Sequence, residues 1–355
     1  MNKNIRSVCE KFDLNGKIIE IKLHNSGLIN NTYYVKTENE EYIIQKINNF
    51  VFKKPDKLMK NINIVTKYII ERKGNTLEIV RTYKKNIYYK DINKYYRCYK
   101  MKKGYKSYDL LPNAIIAYKA GLTMGEFQNT LSEFNLQNLY TTIPFFHDLR
   151  HRYIDLIKSY RNNDNKIIKE ETITIIQYLL HEYKNIMNLP SLIEKNIIPK
   201  RVCHYDTKLN NFLFSDICGN CLIDLDTVMP GCSIYDFGDC ARNIIFNVEE
   251  DDVNSSIVIN LKTFIYLLIG YLSIGKNYLT KLEVINLVNS IKVIALELSI
   301  RFLNDYIDGN KYFKISYEKQ NLNRSICQLN IYKKICEKEE LLNSIVNKVY
   351  KRLID

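Results

Sequence analysis

The stretch His204-Tyr205-Asp206-Thr207-Lys208-Leu209-Asn210-Asn211, followed downstream by Leu222-Ile223-Asp224-Leu225-Asp226, decides how this 355-residue chain is read. A histidine, an aspartate two residues on and an asparagine five beyond that form the pattern of a kinase catalytic loop. There the aspartate takes the acceptor hydroxyl's proton and the asparagine holds a divalent cation. His204, Asp206 and Asn211 fit this pattern. Two short apolar runs, Phe212-Leu213-Phe214 and Cys221-Leu222-Ile223, flank the turn-rich Ser215-Asp216-Ile217-Cys218-Gly219-Asn220, which predicts a tight hairpin. Folding it about Cys218 sets residue 212 opposite residue 224 and brings Asn211 and Asp224 side by side at the open end. Two hard oxygen ligands then face one pocket, as Mg²⁺ with bound phosphates prefers. If the second strand runs on, Asp226 shares a face with Asp224 and is a candidate second metal ligand.

Asp236-Phe237-Gly238 spells the protein-kinase magnesium motif letter for letter. It lies beyond the Pro230-Gly231 turn, too late to leave the hairpin's second strand. Asp236 is therefore expected to be a buried carboxylate that accepts hydrogen bonds from the catalytic-loop backbone.

The length allows a substantial core and suggests two lobes, with the division expected between residues 1–103 and 104–355. Nine cysteines without a CxxC pair, and an N-terminus without an apolar signal region, point to free thiols and a cytoplasmic protein. The most hydrophobic stretch, residues 263–274, is too short to span a bilayer and reads as a buried helix. A net charge of +13 raises the question of nucleic acid. The lysines, however, are spread along the whole chain among Asp, Glu and Asn, so no basic stripe forms and no nucleic-acid or membrane partner is expected. The histidines at 147, 151 and 181 have no metal-ligand spacing, and no zinc is expected.

The first hundred residues read as a small β-rich lobe with one helix. Alternating patterns at 17–23, 32–37 and 41–47 predict consecutive antiparallel strands. Pro55 opens a helix with Leu58, Ile62, Val65 and Ile69 at helical spacing, stopped at Gly74. Strands are expected at 76–82, 87–90 and 95–101, then a hinge at Lys102-Lys103-Gly104, with adenine meeting hinge backbone near Lys100 to Lys102. The turn Ser26-Gly27-Leu28-Ile29-Asn30-Asn31-Thr32 sits where a kinase covers the phosphates, and its NH groups and short polar side chains, with Gly27, Asn30 and Thr32 foremost, can cradle phosphate oxygens. The next strand should carry the phosphate-binding lysine. Gln45 stands there instead, Lys46 points to the opposite face, and the helix has acids only near its ends, at Asp56 and Glu71, so no lysine–glutamate pair emerges.

The catalytic loop, Asp224-Leu225-Asp226-Thr227-Val228-Met229-Pro230-Gly231 and Tyr235-Asp236-Phe237-Gly238-Asp239 resemble the N-acetylhexosamine 1-kinases, a branch of the aminoglycoside phosphotransferase and choline kinase-like superfamily. The likeness also takes in Gln45-Lys46-Ile47-Asn48, Gly125-Glu126-Phe127-Gln128, Ile143-Pro144-Phe145-Phe146-His147 and Arg301-Phe302-Leu303-Asn304-Asp305, so it runs essentially end to end. It implies an α+β, two-lobed protein kinase-like fold with an antiparallel N-lobe and a mainly helical C-lobe. It also implies transfer of the γ-phosphoryl group of ATP, with Mg²⁺, to the anomeric hydroxyl of GlcNAc or GalNAc. Asp206 would be the base, Lys208 would reach the transferring phosphate, and Arg301 would meet the sugar. An ion pair of Arg301 with Asp305 is the competing expectation for that arginine. Asp239 and Arg242 either border the acceptor pocket or pair with each other. Leu28 stands where the resembling enzymes place a histidine, and Tyr95-Tyr96-Arg97 replaces a Trp-Arg strand, read as conservative packing. The alternatives are a kinase for an amino alcohol or aminoglycoside and a catalytically silent binding protein; a monomer is expected.

Overall fold

The computed structural model describes residues 3–24, 29–253 and 257–355. Helix α1 (Lys3–Cys9) precedes strands β1 (Ile18–His24), β2 (Asn31–Thr37) and β3 (Glu41–Ile47), helix α2 (Pro55–Glu71), and strands β4 (Ile79–Val80), β5 (Tyr89–Asp91) and β6 (Lys94–Lys100). The strands form one antiparallel sheet in the order β1-β2-β3-β6-β4, with β5 also on β6. The outer face of the sheet is closed by α1, whose Ile5, Val8 and Cys9 join Phe12, Val35, Tyr42, Ile44, Tyr96 and Cys98 in a core of their own. This helix corrects the one-helix expectation for the small lobe. The expected strand at 76–82 shrinks to β4, because its flanks pair only through an isolated bridge between Phe12 and Thr82.

Helix α2 forms as its pattern demands, with Pro55 in the first turn and Leu58, Ile62, Val65 and Ile69 buried. Those side chains enter the same continuous core as the large lobe. Asn61, fully buried in the middle of α2, donates to Tyr140 O at 2.8 Å and Val228 O at 2.9 Å and accepts from Tyr140 N at 2.9 Å. The helix is thereby tied to the large lobe on its inner side.

The large lobe runs through α3 (Ala114–Thr130), α4 (Leu149–Asn162), α5 (Lys166–Ile186), α6 (Asn188–Glu194), β7 (Arg201–Cys203), β8 (Phe212–Leu213), β9 (Cys221–Leu222) and β10 (Met229–Gly231). It ends in α7 (Ile234–Ile244), α8 (Leu261–Gly275), α9 (Lys281–Ile285), α10 (Leu287–Ile307), α11 (Gln320–Glu337) and α12 (Glu339–Ile354). The apolar stretch at 263–274 lies in α8, as expected, and α9 and α10 are separated at Asn286. Helices α3 and α8 cross backbone to backbone: a Cβ on Gly121 would stand 2.2 Å from Leu267 O, and one on Gly270 would stand 2.1 Å from Tyr118 O. Among the described residues, no helix is long and apolar enough to cross a membrane.

Candidate active site

The catalytic loop leaves β7 and is shaped by Asp236 at the start of α7. Asp236 accepts from His204 N at 3.0 Å, Tyr205 N at 2.8 Å and Gln128 Nε2 at 2.9 Å. Two adjacent backbone NH groups reach one carboxylate because Tyr205 adopts a left-handed conformation, φ +65°, an unusual state for an aromatic residue that the surrounding contacts must hold. Thr207 Oγ1 donates to Asp236 O at 2.5 Å, and Leu209 N donates to Asn243 Oδ1 at 2.8 Å. The DFG-like triplet is thus a bracket for the loop. Its Phe237 is fully buried, and a Cβ on Gly238 would lie 2.6 Å from Ser290 O of α10.

His204 Nε2 lies 2.9 Å from Ile223 O, and Asp206 N approaches Nδ1 at 3.3 Å. A carbonyl can only accept and an amide can only donate, so the geometry gives Nε2 the donor role toward Ile223 and Nδ1 the acceptor role toward Asp206. The ring joins the loop to the hairpin. The Asp206 carboxylate is half-buried with Lys208 Nζ at 3.5 Å. Burial is the largest single influence and pushes that carboxyl up, but Lys208 together with the Asn211 amide and Arg242 outweighs it and holds the group below its ordinary value. Lys208 is raised in turn, chiefly by Asp206. An ionised carboxylate beside an ammonium is what a proton acceptor facing a polyanionic donor needs.

The hairpin forms with a different register from the one expected: Phe212 pairs with Leu222 and Leu213 with Cys221, so 212 is not opposite 224. Ile223 N donates to Asn211 O at 2.9 Å, which still sets Asn211 and Asp224 side by side where the hairpin opens. Asp224 then turns left-handed, φ +59°, and starts a 3₁₀ turn at Leu225–Thr227. The strand does not continue, and period-two reasoning fails for Asp226. Its carboxylate is buried between Arg97 and Asn30, accepting from the guanidinium through Oδ1 and from Asn30 Nδ2 at 2.7 Å through Oδ2. Asp226 thus ties the two lobes together, and each of its oxygens is engaged in that contact.

Asn211 Nδ2 donates to Asp206 O at 2.8 Å, and among the described residues neither its Oδ1 nor the Asp224 carboxylate has a protein hydrogen-bond partner. Burial, followed by the negative charges of Asp226 and Asp206, pushes Asp224 up to about 7. Crowded carboxylate oxygens with an uncommitted amide oxygen beside them suit a hard divalent cation, whose charge relieves that crowding. Asn211 and Asp224 could therefore hold Mg²⁺.

Of the residues expected to contact nucleotide, Gly27 lies outside the described residues, as does Leu28. Asn30 is held at both ends of its side chain, by Asp226 and by Asn48 N at 3.0 Å. Thr32 and Gln45 meet across β2 and β3, with Gln45 Nε2 3.1 Å from Thr32 Oγ1, and Gln45 Oε1 accepts from Arg97 Nε at 2.9 Å. Lys102 Nζ donates to Asn75 Oδ1 at 2.7 Å, and Asn75 in turn reaches the hairpin turn at Cys218 O and Asn220 O. Arg97 is not mere packing, as its sequence position suggested. It is fully buried and ion-paired.

On the other side of the loop, Glu297 of α10 is buried among three cationic or ionisable side chains. His147 Nδ1 lies at 2.7 Å, Arg152 Nε at 3.3 Å and Arg301 Nε at 3.8 Å. His147 Nε2 also approaches Tyr205 O at 3.4 Å, so this cluster abuts the catalytic loop. The Arg301–Asp305 pair does not form, because Asp305 caps the 311–313 turn, accepting from Lys311, Tyr312 and Phe313 NH groups. Arg301 instead lies over Phe146, 4.9 Å from the ring centre. Asp239 and Arg242 pair with each other at 2.7 Å. Glu297 and Arg301 are four residues apart on α10, a spacing legible in the sequence, whereas His147 and Arg152 come from a loop and from α4 and carry no such signal.

The model of the phosphotransferase enzyme family matches residues 170–256, the segment that carries the catalytic loop, the hairpin and Asp236. The chain is a small-molecule phosphotransferase. Its fold is similar to that of an aminoglycoside phosphotransferase from Alicyclobacillus acidocaldarius (TM-score 0.60, 12% identity, covering 98% of this chain and 96% of that one). It is also similar to an amicoumacin kinase in complex with AMP-PNP and Ca²⁺ (TM-score 0.62, 10% identity, 94% of each chain). A choline kinase from Streptococcus pneumoniae matches with TM-score 0.55 at 13% identity, over 90% of this phosphotransferase and 94% of that chain. At such identities the likeness is one of fold.

Proposed function

We propose that this phosphotransferase moves the γ-phosphoryl group of ATP to the anomeric hydroxyl of an N-acetylhexosamine, giving the sugar 1-phosphate. The observation that carries the acceptor class is the charge beside the catalytic loop. Arg152 and Arg301 share the carboxylate of Glu297, with Asp155 a further acid near Arg152, so two guanidinium groups stand on this side of the loop. A cationic amino alcohol or aminoglycoside would meet like charge, whereas a neutral, acceptor-rich sugar can take hydrogen bonds from guanidinium groups. The low-lying Asp206 carboxyl suits an anomeric hydroxyl, which is more acidic than an ordinary alcohol and can release its proton late in a loose transition state.

In this reading Asp206 orients and deprotonates the hydroxyl, Lys208 stabilises charge on the transferring group, and Arg301 positions the sugar against Phe146. Asn211 and Asp224 would hold Mg²⁺, which when bound neutralises phosphate charge. Positioning and electrostatics supply the rate. The competing reading, an amino alcohol or aminoglycoside acceptor, agrees with what the similar structures are named for. Both are separated by ATP consumption across a panel of sugars, amino alcohols and aminoglycosides, with phosphorus NMR locating the new phosphate. We expect an anomeric phosphate from GlcNAc or GalNAc; turnover of choline or an aminoglycoside with no turnover of N-acetylhexosamines refutes the proposal.

A further inference from the structure

Protein kinases place a lysine on the third strand of the small lobe and pair it with a glutamate on the neighbouring helix. Here both positions are vacated. Gln45 of β3 stands on the inner face of the sheet, and α2 has acids only at Asp56 and Glu71 near its ends. One strand across, Arg97 is the register partner of Gln45, and Thr32 is the partner of Gln45 on the other side. The three side chains form one row on the inner face, with Arg97 Nε on Gln45 Oε1 at 2.9 Å and Gln45 Nε2 on Thr32 Oγ1 at 3.1 Å. The guanidinium ends on Asp226, two residues beyond Asp224, and Asn30 holds the other oxygen of that carboxylate.

We propose that Arg97 replaces the missing lysine, with one change of architecture: the ion pair that organises the nucleotide site spans the two lobes instead of lying within the small one. Gln45 acts as a spacer that keeps the guanidinium extended toward Asp226. Arg97 is then a positioning residue. Through Asp226 it fixes the left-handed turn that presents Asp224, and with it the side of the crevice where the phosphates and their cation sit. A buried, hydrogen-bonded pair of this kind is sensitive to loss of either partner. Its geometry is also one that lysine cannot reproduce, since Arg97 uses two different nitrogens on two different acceptors. The inference rests on the phosphotransferase assignment and on ATP as donor, not on the identity of the acceptor.

The test is isothermal titration of ADP, with and without Mg²⁺, into the wild-type chain and the Arg97→Met, Asp226→Asn and Gln45→Lys/Arg97→Met variants, each checked for folding by thermal melt. Failure of the wild type to bind ADP refutes the donor assignment and is thereby distinguished from failure of this inference. With wild-type binding established, Arg97→Met is expected to weaken Mg²⁺-dependent ADP binding by about tenfold or more, with KM for the acceptor nearly unchanged. The double variant, which returns a cation to the third strand on the same face, is expected to recover part of the loss. If Arg97→Met does not fold, Asp226→Asn, which preserves shape and an acceptor for Asn30, carries the same expectation. A folded variant that binds ADP like the wild type with and without Mg²⁺ overturns the proposal. So does a loss of equal size with and without Mg²⁺, which marks a purely structural role.

Discussion

Replacing Glu297 by glutamine removes the anion between Arg152 and Arg301 while keeping its shape. In the folded protein burial opposes ionisation of Glu297, yet His147, Arg301 and Arg152 overcome it and hold the carboxyl at about 2, against an ordinary 4.5. That difference corresponds to about 3 kcal/mol of stability at neutral pH. Part of it is offset, because burial and the like charge of Arg301 pull Arg152 down, leaving about 2–3 kcal/mol as the expected loss at pH 7. In a chain of this size that shifts the melting temperature by roughly 5 °C. Since the folded value lies below the unfolded one, the stabilisation is complete above about pH 4.5 and declines by about 1.4 kcal/mol per unit as pH falls toward 2. Urea unfolding of wild type and Glu297→Gln at pH 7 and about pH 3.5 should show a gap that narrows by about 1 kcal/mol at the lower pH. Equal stability at pH 7, or a gap that stays constant with pH, refutes the electrostatic reading of this cluster.

Asp206→Asn should lower kcat by a factor of about 10²–10⁴ while leaving ADP affinity near wild type in titration calorimetry; near-normal turnover places the base elsewhere. Because the folded protein resists ionisation of Asp224, whose value sits at about 7 against an ordinary 3.8, the metal-free protein gains stability as pH falls through 7. The rise in melting temperature on adding Mg²⁺ with ADP should therefore be larger at about pH 8 than at about pH 6, and Asp224→Asn should abolish that difference. Gly238→Ala forces a methyl group to within 2.6 Å of Ser290 O and should destabilise the protein by about 1–3 kcal/mol, with a fall in kcat because Asp236 moves with α7. Unchanged melting and turnover would show that the α7–α10 seam yields freely.

What could be read from the residues was set by how local its physical cause is. Helix α2 follows from the spacing of Leu58, Ile62, Val65 and Ile69, and the role of Asp236 from the rule that a buried carboxylate must find donors; both hold in the structure. The hairpin was legible as a hairpin, but its register was not, because the turn residues 215–220 do not say which of them sits at the centre; the face of Asp226 was lost because Asp224 leaves the strand in a left-handed conformation. Arg97 was misread because its partner lies 129 residues away; Glu297 stands four residues before Arg301, but its tightest partner, His147, is 150 residues distant. Pairings at such separation are set by how helices and sheets dock, for which one sequence offers no periodic signal. Helix α1, seven residues long, is too short for its spacing to stand out.

The docking of α2 bears on how the molecule can be taken apart. Leu58, Ile62 and Val65 lie in the same core as the large lobe, Tyr68 stacks edge-on to Phe134 at 4.9 Å, and Asn61 is hydrogen-bonded to Tyr140 and Val228. A fragment cut after residue 103 would carry off the sheet and α1 intact but expose the whole inner side of α2, with Asn61 stripped of its three hydrogen bonds. Such a fragment would behave as a sticky, partly ordered species, and the remainder would lose a wall of its core. Unfolding should accordingly be a single cooperative event, and dividing the chain between its lobes would not yield two autonomous pieces.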